Sequence, residues 1–568
     1  MARRCGGAAR AACAVGGSGE TLRAAAGVLA LAAAAEAHAQ RGSSGPAATA
    51  AMVPRVDDAV DRDLELLRAF GLLDPAATGQ RPHARRTVAR LLGRAAARLQ
   101  AMQARGAAAA WMPTAERLLG RYGLGPAPHP AGPVPASRFG VEALRLLATA
   151  TNSRPQALPP NGLGGVDAVV NPLADGRDGR RIGRGVTVAA EAEYRVAIGA
   201  HLAAQAVPRI AFMRGDDGRG KVPVASAQEF AIEATAANAR LALGLLHRRW
   251  GQGADGGLAL GPDAPPLPMA ALSNDRPVLL PGVLRRIGPV QGTLLVAGLG
   301  RSQNFPGALL AGYKVSVLPT PGTELGVAVR TQTGGRGAPG APAVYRVADL
   351  VPVLDVFVKQ GGRREFSNKL ATVDARASWP RARGLTVFGE VDLNDAARRW
   401  RVLWDDAAHR LGVRVPRVTD DGRVAAAVEV RHTGVRQYEH NPFTSGMTSG
   451  RFLLGDGLGA RAHGAYLAVD LDGGALGVLR WHAAAERRGN DRYVWDAVAA
   501  LPRLAERRVG EGRVRTTLRW EVGAAARGGR PGTAAAVVGG LERVVDAGYV
   551  AGARRSAGLI EVLLTRRF

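Results

Sequence analysis

Two hydropathy periods divide this chain. Up to about residue 130, apolar residues recur at helical spacing, and from about residue 136 they alternate every second position. In the first part Val56, Val60, Leu64, Leu67 and residues 70–73 recur at helical spacing, with Asp57, Asp58 and Asp61 near the start and Gly71 and Asp74-Pro75 at the close. A second helix is expected over 85–103, with Val88, Leu91, Leu92, Ala95 and Leu99 on one face. A third covers 114–119, ahead of Gly120 and the proline-rich 126–135 linker. Such faces could lie on a membrane surface, but packing against one another into a small bundle is the preferred reading.

In the second part, segments of about ten residues alternate and are broken by turn residues, which is how a transmembrane barrel reads. Residues 309–318 and 325–333 flank Pro319-Thr320-Pro321-Gly322, and 370–379 and 385–393 flank 380–384. Residues 466–471 and 476–481 flank Asp472-Gly473-Gly474, and 424–431 follows Asp420-Asp421-Gly422. These are tight hairpins. Long connections alternate with them at about 334–368, 394–410, 438–460, 487–510 and 546–556. Outer-membrane barrels have short periplasmic turns and long external loops. The parity closes if 344–358, whose Val347, Leu350, Val351, Leu354 and Val358 follow a helical period, is a helix within a loop. The last strand carries Ile560, Val562 and Leu564 on one face and Glu561, Thr565 and Arg567 on the other, with Arg566 the misfit, and ends on Phe568. A terminal aromatic closing such a strand resembles the C-terminal signal of bacterial outer-membrane barrels.

Arg3, Arg4, Arg10 and Arg23 precede an apolar stretch, 24–35, and Ala37-His38-Ala39 is an A-x-A cleavage site, so 1–39 reads as a signal peptide. Both cysteines, Cys5 and Cys13, fall inside it, which leaves the expected mature chain without disulfides or zinc-cysteine sites. Beyond the leader no run of about 18 apolar residues occurs, which excludes a helical membrane protein. The net charge of +27 would suit nucleic acid, but lysine occurs only at 221, 314, 359 and 369. An arginine- and alanine-rich, lysine-poor chain is what a GC-rich genome writes by default. The partners an exported cationic protein meets are acidic polysaccharide and lipopolysaccharide phosphate, and no nucleic acid is expected.

Catalysis finds no support. The matches to G-x-G-x-x-G at 251–256 and 335–340 do not open a helix after a strand, so they read as loop glycines. There is no G-x-S-x-G, H-E-x-x-H or Walker loop. The ten histidines are scattered without ligand spacing, His432 and His440 included. Carboxylates such as Asp405-Asp406 sit in loops. No enzyme, cofactor or metal is expected.

Other stretches carry more. They begin with Arg249-Trp250-Gly251-Gln252-Gly253, Leu258-Ala259-Leu260 and Ala264-Pro265-Pro266-Leu267-Pro268-Met269, followed by Arg301 and the Pro319 hairpin. Leu325-Gly326, Gly334-Gly335-Arg336-Gly337, the run from Asn368 to Arg376, and Val387-Phe388-Gly389-Glu390 come next. Tyr438-Glu439-His440-Asn441, Thr444-Ser445-Gly446-Met447-Thr448 and Leu454-Gly455-Asp456-Gly457-Leu458-Gly459 complete the set. In this order they resemble the capsule assembly protein Wzi family, and Arg81-Pro82-His83 fits it too. The resemblance implies an outer-membrane barrel of about 18 strands with a periplasmic helical bundle, an exopolysaccharide lectin that helps hold capsule on the cell surface. Met447 stands where the family tends to have tyrosine.

The expected organisation is therefore a signal peptide at 1–39, a periplasmic helical bundle at 40–130 and an all-β, antiparallel transmembrane barrel at 131–568, acting as a monomer in the outer membrane of a Gram-negative-type bacterium. Outer-membrane lipid and lipopolysaccharide surround it, and acidic capsular or extracellular polysaccharide is the ligand. A polysaccharide site needs flat aromatic faces for sugar CH groups and guanidinia for carboxylates. Among the external loops Trp400, Trp404, Tyr438, His440, Asn441, Phe443 and Arg451 qualify, with Arg363 and Arg364 in the 334–368 loop. The alternative is a diffusion porin or transport barrel for anionic solutes, which lumen contents would separate from the lectin.

Overall fold

In the computed structural model the described residues are 58–122, 124, 137–158, 168–174, 176–198, 201–214, 221–340, 343–350, 366–394, 406–496, 501–506, 509–524 and 533–568. The helical period gives α1 (Asp58–Ala69), α2 (Arg85–Ala104) and α3 (Met112–Gly120). Their apolar faces turn on one another: Leu67, Phe70, Leu91, Ala95, Trp111 and Leu118 belong to one buried cluster. Phe70 stacks on Trp111 with ring centroids 4.6 Å apart. No helix among the described residues is long and apolar enough to cross a membrane.

The alternating part folds into 18 antiparallel strands. They are β1 (Ser137–Thr151), β2 (Gly185–Ile198), β3 (Leu202–Arg214), β4 (Lys221–Ala236), β5 (Ala239–Leu246) and β6 (Leu267–Asn274). Next come β7 (Val290–Gly298), β8 (Leu309–Thr320), β9 (Thr323–Thr333), β10 (Ser367–Trp379), β11 (Leu385–Asn394) and β12 (Ala408–Val415). The last are β13 (Val424–Thr433), β14 (Ala462–Asp472), β15 (Val478–Arg488), β16 (Glu511–Ala524), β17 (Thr533–Val545) and β18 (Arg554–Arg567). Each pairs with the next, and β1 pairs with β18, Leu146 opposite Leu564, so no edge is left open.

Side-chain period fixes the faces. On β18, Ile560 is 62% exposed on the outside while Glu561 is 7% exposed in the lumen, accepting from the Thr149 hydroxyl at 3.0 Å. Arg566, the misfit of that strand, lies on the outward face at its end, its guanidinium 5.7 Å from the Phe568 ring centroid; a long cationic side chain can reach past apolar surface to water there. The tight turns collect at the end that the helices cover. Thr114 donates to the Asp421 carbonyl at 2.7 Å, Arg117 meets Asp472 at 3.3 Å, and Gly384 lies against Ala69. The long connections collect at the other end, one of them containing α4 (Ala343–Leu350) where the helical period was expected. The rest of that expected helix, 351–358, lies outside the described residues.

Two inserted segments occupy much of the lumen, leaving a cavity of about 470 Å³ among Arg177, Arg410, Arg431 and Glu486. Between α1 and α2 the chain enters the barrel, and Gln80–Arg81 pairs with Arg249–Trp250. Glu324 of β9 accepts from the backbone of Thr78 at 2.7 Å and of Gly79 at 3.1 Å. The 247–266 connection folds inward over it, and Glu390 of β11 accepts from the amides of Gln252 (2.7 Å), Gly253 (3.1 Å) and Leu258 (2.8 Å). Irregular backbone can be buried here because wall carboxylates satisfy its N–H groups. Gly251 is required by this approach: at φ +143° a Cβ there would fall 2.3 Å from the Gly257 Cα. The glycines of 251–256 thus serve close packing within a loop.

Candidate functional site

At the long-loop end a cavity of about 1040 Å³ opens beside the plug. Arg154 and Gln156 come from the connection after β1, Arg181 and Arg184 from the strand-free run before β2, and Arg451 from the 434–461 loop. Glu511 and Arg555 stand at the ends of β16 and β18, and Tyr549 lies in the turn between β17 and β18. Five guanidinia thus line the cavity against one carboxylate.

Secondary contacts hold these groups in place. Gln156 accepts from Arg555 and, at 3.3 Å, from Arg513, and Glu511 lies 3.6 Å from Arg555. Arg181 donates to the Gly450 carbonyl at 3.0 Å with its guanidinium 5.6 Å from the Phe452 ring centroid. The Arg451 carbonyl accepts from Val169 at 2.8 Å, and Arg451 itself sits at φ 71°. A non-glycine residue in that left-handed region costs roughly 1–2 kcal/mol, which the surrounding plug must supply. Arg154 and Arg184 are exposed and have no carboxylate partner among the described residues. The Tyr549 hydroxyl is buried in the cavity wall without a hydrogen-bond partner among the described residues, and burial pushes its pKa up to about 12, so it stays neutral. Planar guanidinia and an amide side chain can together bind a carboxylate-bearing glycan. They offer no nucleophile paired with a base.

Of the residues expected from sequence that are described, only Arg451 lines this cavity. Trp400, Trp404, Arg363 and Arg364 lie outside the described residues. Tyr438, His440 and Phe443 are in the expected loop but are buried, contrary to the exposed faces anticipated for them. The Tyr438 hydroxyl donates to the Leu258 carbonyl at 3.0 Å and accepts from the Asp456 amide at 2.9 Å, tying two inward-folded loops together. Phe443 meets Phe305 edge to face at 5.2 Å. Large rings gain more by leaving water inside a plug than by standing in it. Asn441 is exposed.

Sequence reasoning missed Arg154, Arg181, Arg184, Arg555 and Tyr549. The usable signal was loop parity, which already placed 546–556 among the external connections. It also missed a histidine ladder on the outward face, where His409, His432 and His463 pair across β12, β13 and β14. His432 and His463 approach to 3.0 Å between Nδ1 atoms, yet no group of three potential metal ligands forms among the described residues.

The family model described as capsule assembly protein Wzi matches residues 168–471, more than half of the chain. Among solved structures, Wzi of Escherichia coli, an outer-membrane protein involved in group 1 capsule assembly and a carbohydrate-binding β-barrel, aligns at a TM-score of 0.59 with 16% identity, covering 91% of this chain and 100% of that one. OprD of Pseudomonas aeruginosa aligns at 0.41 with 8% identity, over 75% of this chain and 93% of that one. OccAB1 of Acinetobacter baumannii aligns at 0.41 with 9% identity, over 76% and 96%. No curated protein matches.

Proposed function

This chain belongs to the capsule assembly protein Wzi family, and from that premise we propose that it is a lectin-like outer-membrane barrel that binds acidic exopolysaccharide and helps attach or assemble capsule at the cell surface. The observation that carries the reading is the cavity at the long-loop end, with five guanidinia facing one carboxylate. In this arrangement Arg154, Arg184 and Arg451 pair with uronate or comparable carboxylates along the glycan, and Tyr549 forms part of the wall. The long-loop end faces outward and the helical bundle faces the periplasm. The protein acts as a monomer, and no bond of the glycan is made or broken.

The chain inserted into the lumen supports this reading over a porin, because the 76–84 segment and the 247–266 loop take up space that an open channel would leave to ions. Double substitution of Arg154→Ala and Arg184→Ala is the test. Exposed charge pairs contribute about 0.2–1 kcal/mol each, so affinity for an acidic oligosaccharide falls by about 2- to 30-fold, while a neutral glycan is unaffected. Unchanged acidic-glycan binding, or large steady conductance of the wild type in planar bilayers, would sink the proposal.

A further inference from the structure

The outward face of β15 to β18 departs from an ordinary lipid-facing wall. The register sets its side chains in rows from the long-loop end. The first row is Arg487, Gly512, Val545 and Arg554, and the second is Ala485, Val514, Arg543 and Ser556. Below them lie Ala483, Thr516, Leu541 and Gly558, then Trp481, Leu518, Gly539 and Ile560. Small residues beside large ones hollow this surface into two troughs of about 860 and 710 Å³. Leu541, 67% exposed, borders both and forms the ridge between them. One trough lies between Trp481 and Leu541 over Ala483 and Ala485, and the other lies between Leu541 and Ile560 over Gly539.

The polar end of these troughs is cationic. Arg543 follows Leu541 by two residues on the same face, roughly 7 Å along the strand. Arg487, Arg543 and Arg554 are exposed and have no carboxylate partner among the described residues. The acidic groups of these strands, Glu486, Glu511, Glu521, Glu542 and Glu561, all take the lumen-facing register. Unpaired guanidinia at the boundary of an apolar band attract phosphate, and side-by-side grooves beneath them gain dispersion contact only if flexible hydrocarbon follows their floor.

We propose that this face is a docking site for one phosphorylated, multiply acylated glycolipid, lipid A of lipopolysaccharide, with a phosphate on Arg543 and its neighbours and acyl chains on either side of Leu541. The proposal rests on the outward orientation of the long loops and is independent of which glycan the arginine cavity takes. The test is native mass spectrometry of the full chain in detergent with added diphosphoryl lipid A, dephosphorylated lipid A or phosphatidylglycerol. Diphosphoryl lipid A should be retained best, and joint Arg487→Ala, Arg543→Ala and Arg554→Ala substitution should lower retention by about tenfold or more.

Gly539→Leu provides a second variant that leaves the wall intact, since a Cβ there meets nothing within 4 Å. It fills one trough and should lower retention while the barrel stays folded and acidic-glycan binding stays at the wild-type level. Equal retention of the dephosphorylated lipid, preference for phosphatidylglycerol, or undiminished retention in either variant would overturn the assignment. Loss of glycan binding with intact lipid A retention would count against the function proposed above and leave this one standing.

Discussion

Glu65 on α1 is the hinge pin between the helical bundle and the barrel. Its carboxylate accepts from Arg376 of β10 at 3.0 Å and from Arg414 of β12. Burial alone would raise its pKa, but Arg414 and Arg376 outweigh it and bring the group from the ordinary value of 4.5 down to about 2. That lowering corresponds to about 3 kcal/mol favouring the docked, ionised state. The side chain keeps 16% exposure, so about 3 kcal/mol is an upper figure. Removing the charge by Glu65→Gln leaves two guanidinia, 5% and 11% exposed, without their carboxylate, and breaking a buried pair from one side costs about 3–5 kcal/mol. The two routes meet near 3 kcal/mol.

The readout is amide hydrogen exchange of 58–69 in purified protein at pH 7, where the variant should exchange about 30- to 150-fold faster if local undocking controls it. Because the folded-state pKa is depressed, the stabilisation is complete above about 4.5 and is lost as pH falls through about 2. Wild type should therefore approach the variant over that window once intrinsic exchange is corrected. Exchange within twofold of wild type at pH 7 would refute the argument that this ion pair holds the bundle.

Other changes probe the same architecture. Gly384→Ala places a Cβ at φ +74° and 2.3 Å from the Ala69 Cβ, so it should loosen α1 by about 1–3 kcal/mol, seen as faster exchange of α1 with the barrel intact. Tyr438→Phe removes both hydroxyl bonds between the inward loops at a cost of about 1–3 kcal/mol, and should make 434–461 more sensitive to protease; equal cleavage rates would show that the hydroxyl does not pin the plug. Arg451→Gly relieves the left-handed backbone at φ 71° while deleting a cavity guanidinium. It should match or exceed wild type in thermal stability yet bind acidic glycan more weakly, and the deficit should shrink as salt screens charges beyond about 10 Å. Equal binding at low salt would remove Arg451 from the site.

Local periodicity determined most of the fold. Alternation such as Ile560, Val562 and Leu564 against Glu561 and Thr565 states which face meets apolar surroundings, because a strand exposes successive side chains to opposite sides whatever its neighbours do. The helical stripe from Val88 to Leu99 likewise fixed α2, and the order of short and long connections fixed which loops share an end. Sequence could not say which loops fold inward, since that depends on wall carboxylates such as Glu390 and Glu324 lying opposite loop amides far away in the chain. Hence Tyr438 and Phe443, aromatic and in a long connection, looked like sugar platforms, and only tertiary packing reveals them as plug core. The arginine cavity was hidden for the same reason. Arg154, Arg184, Arg451 and Arg555 are separated by hundreds of residues in part, and only closure of β1 onto β18 with the 434–461 loop folded over brings their charges into one field.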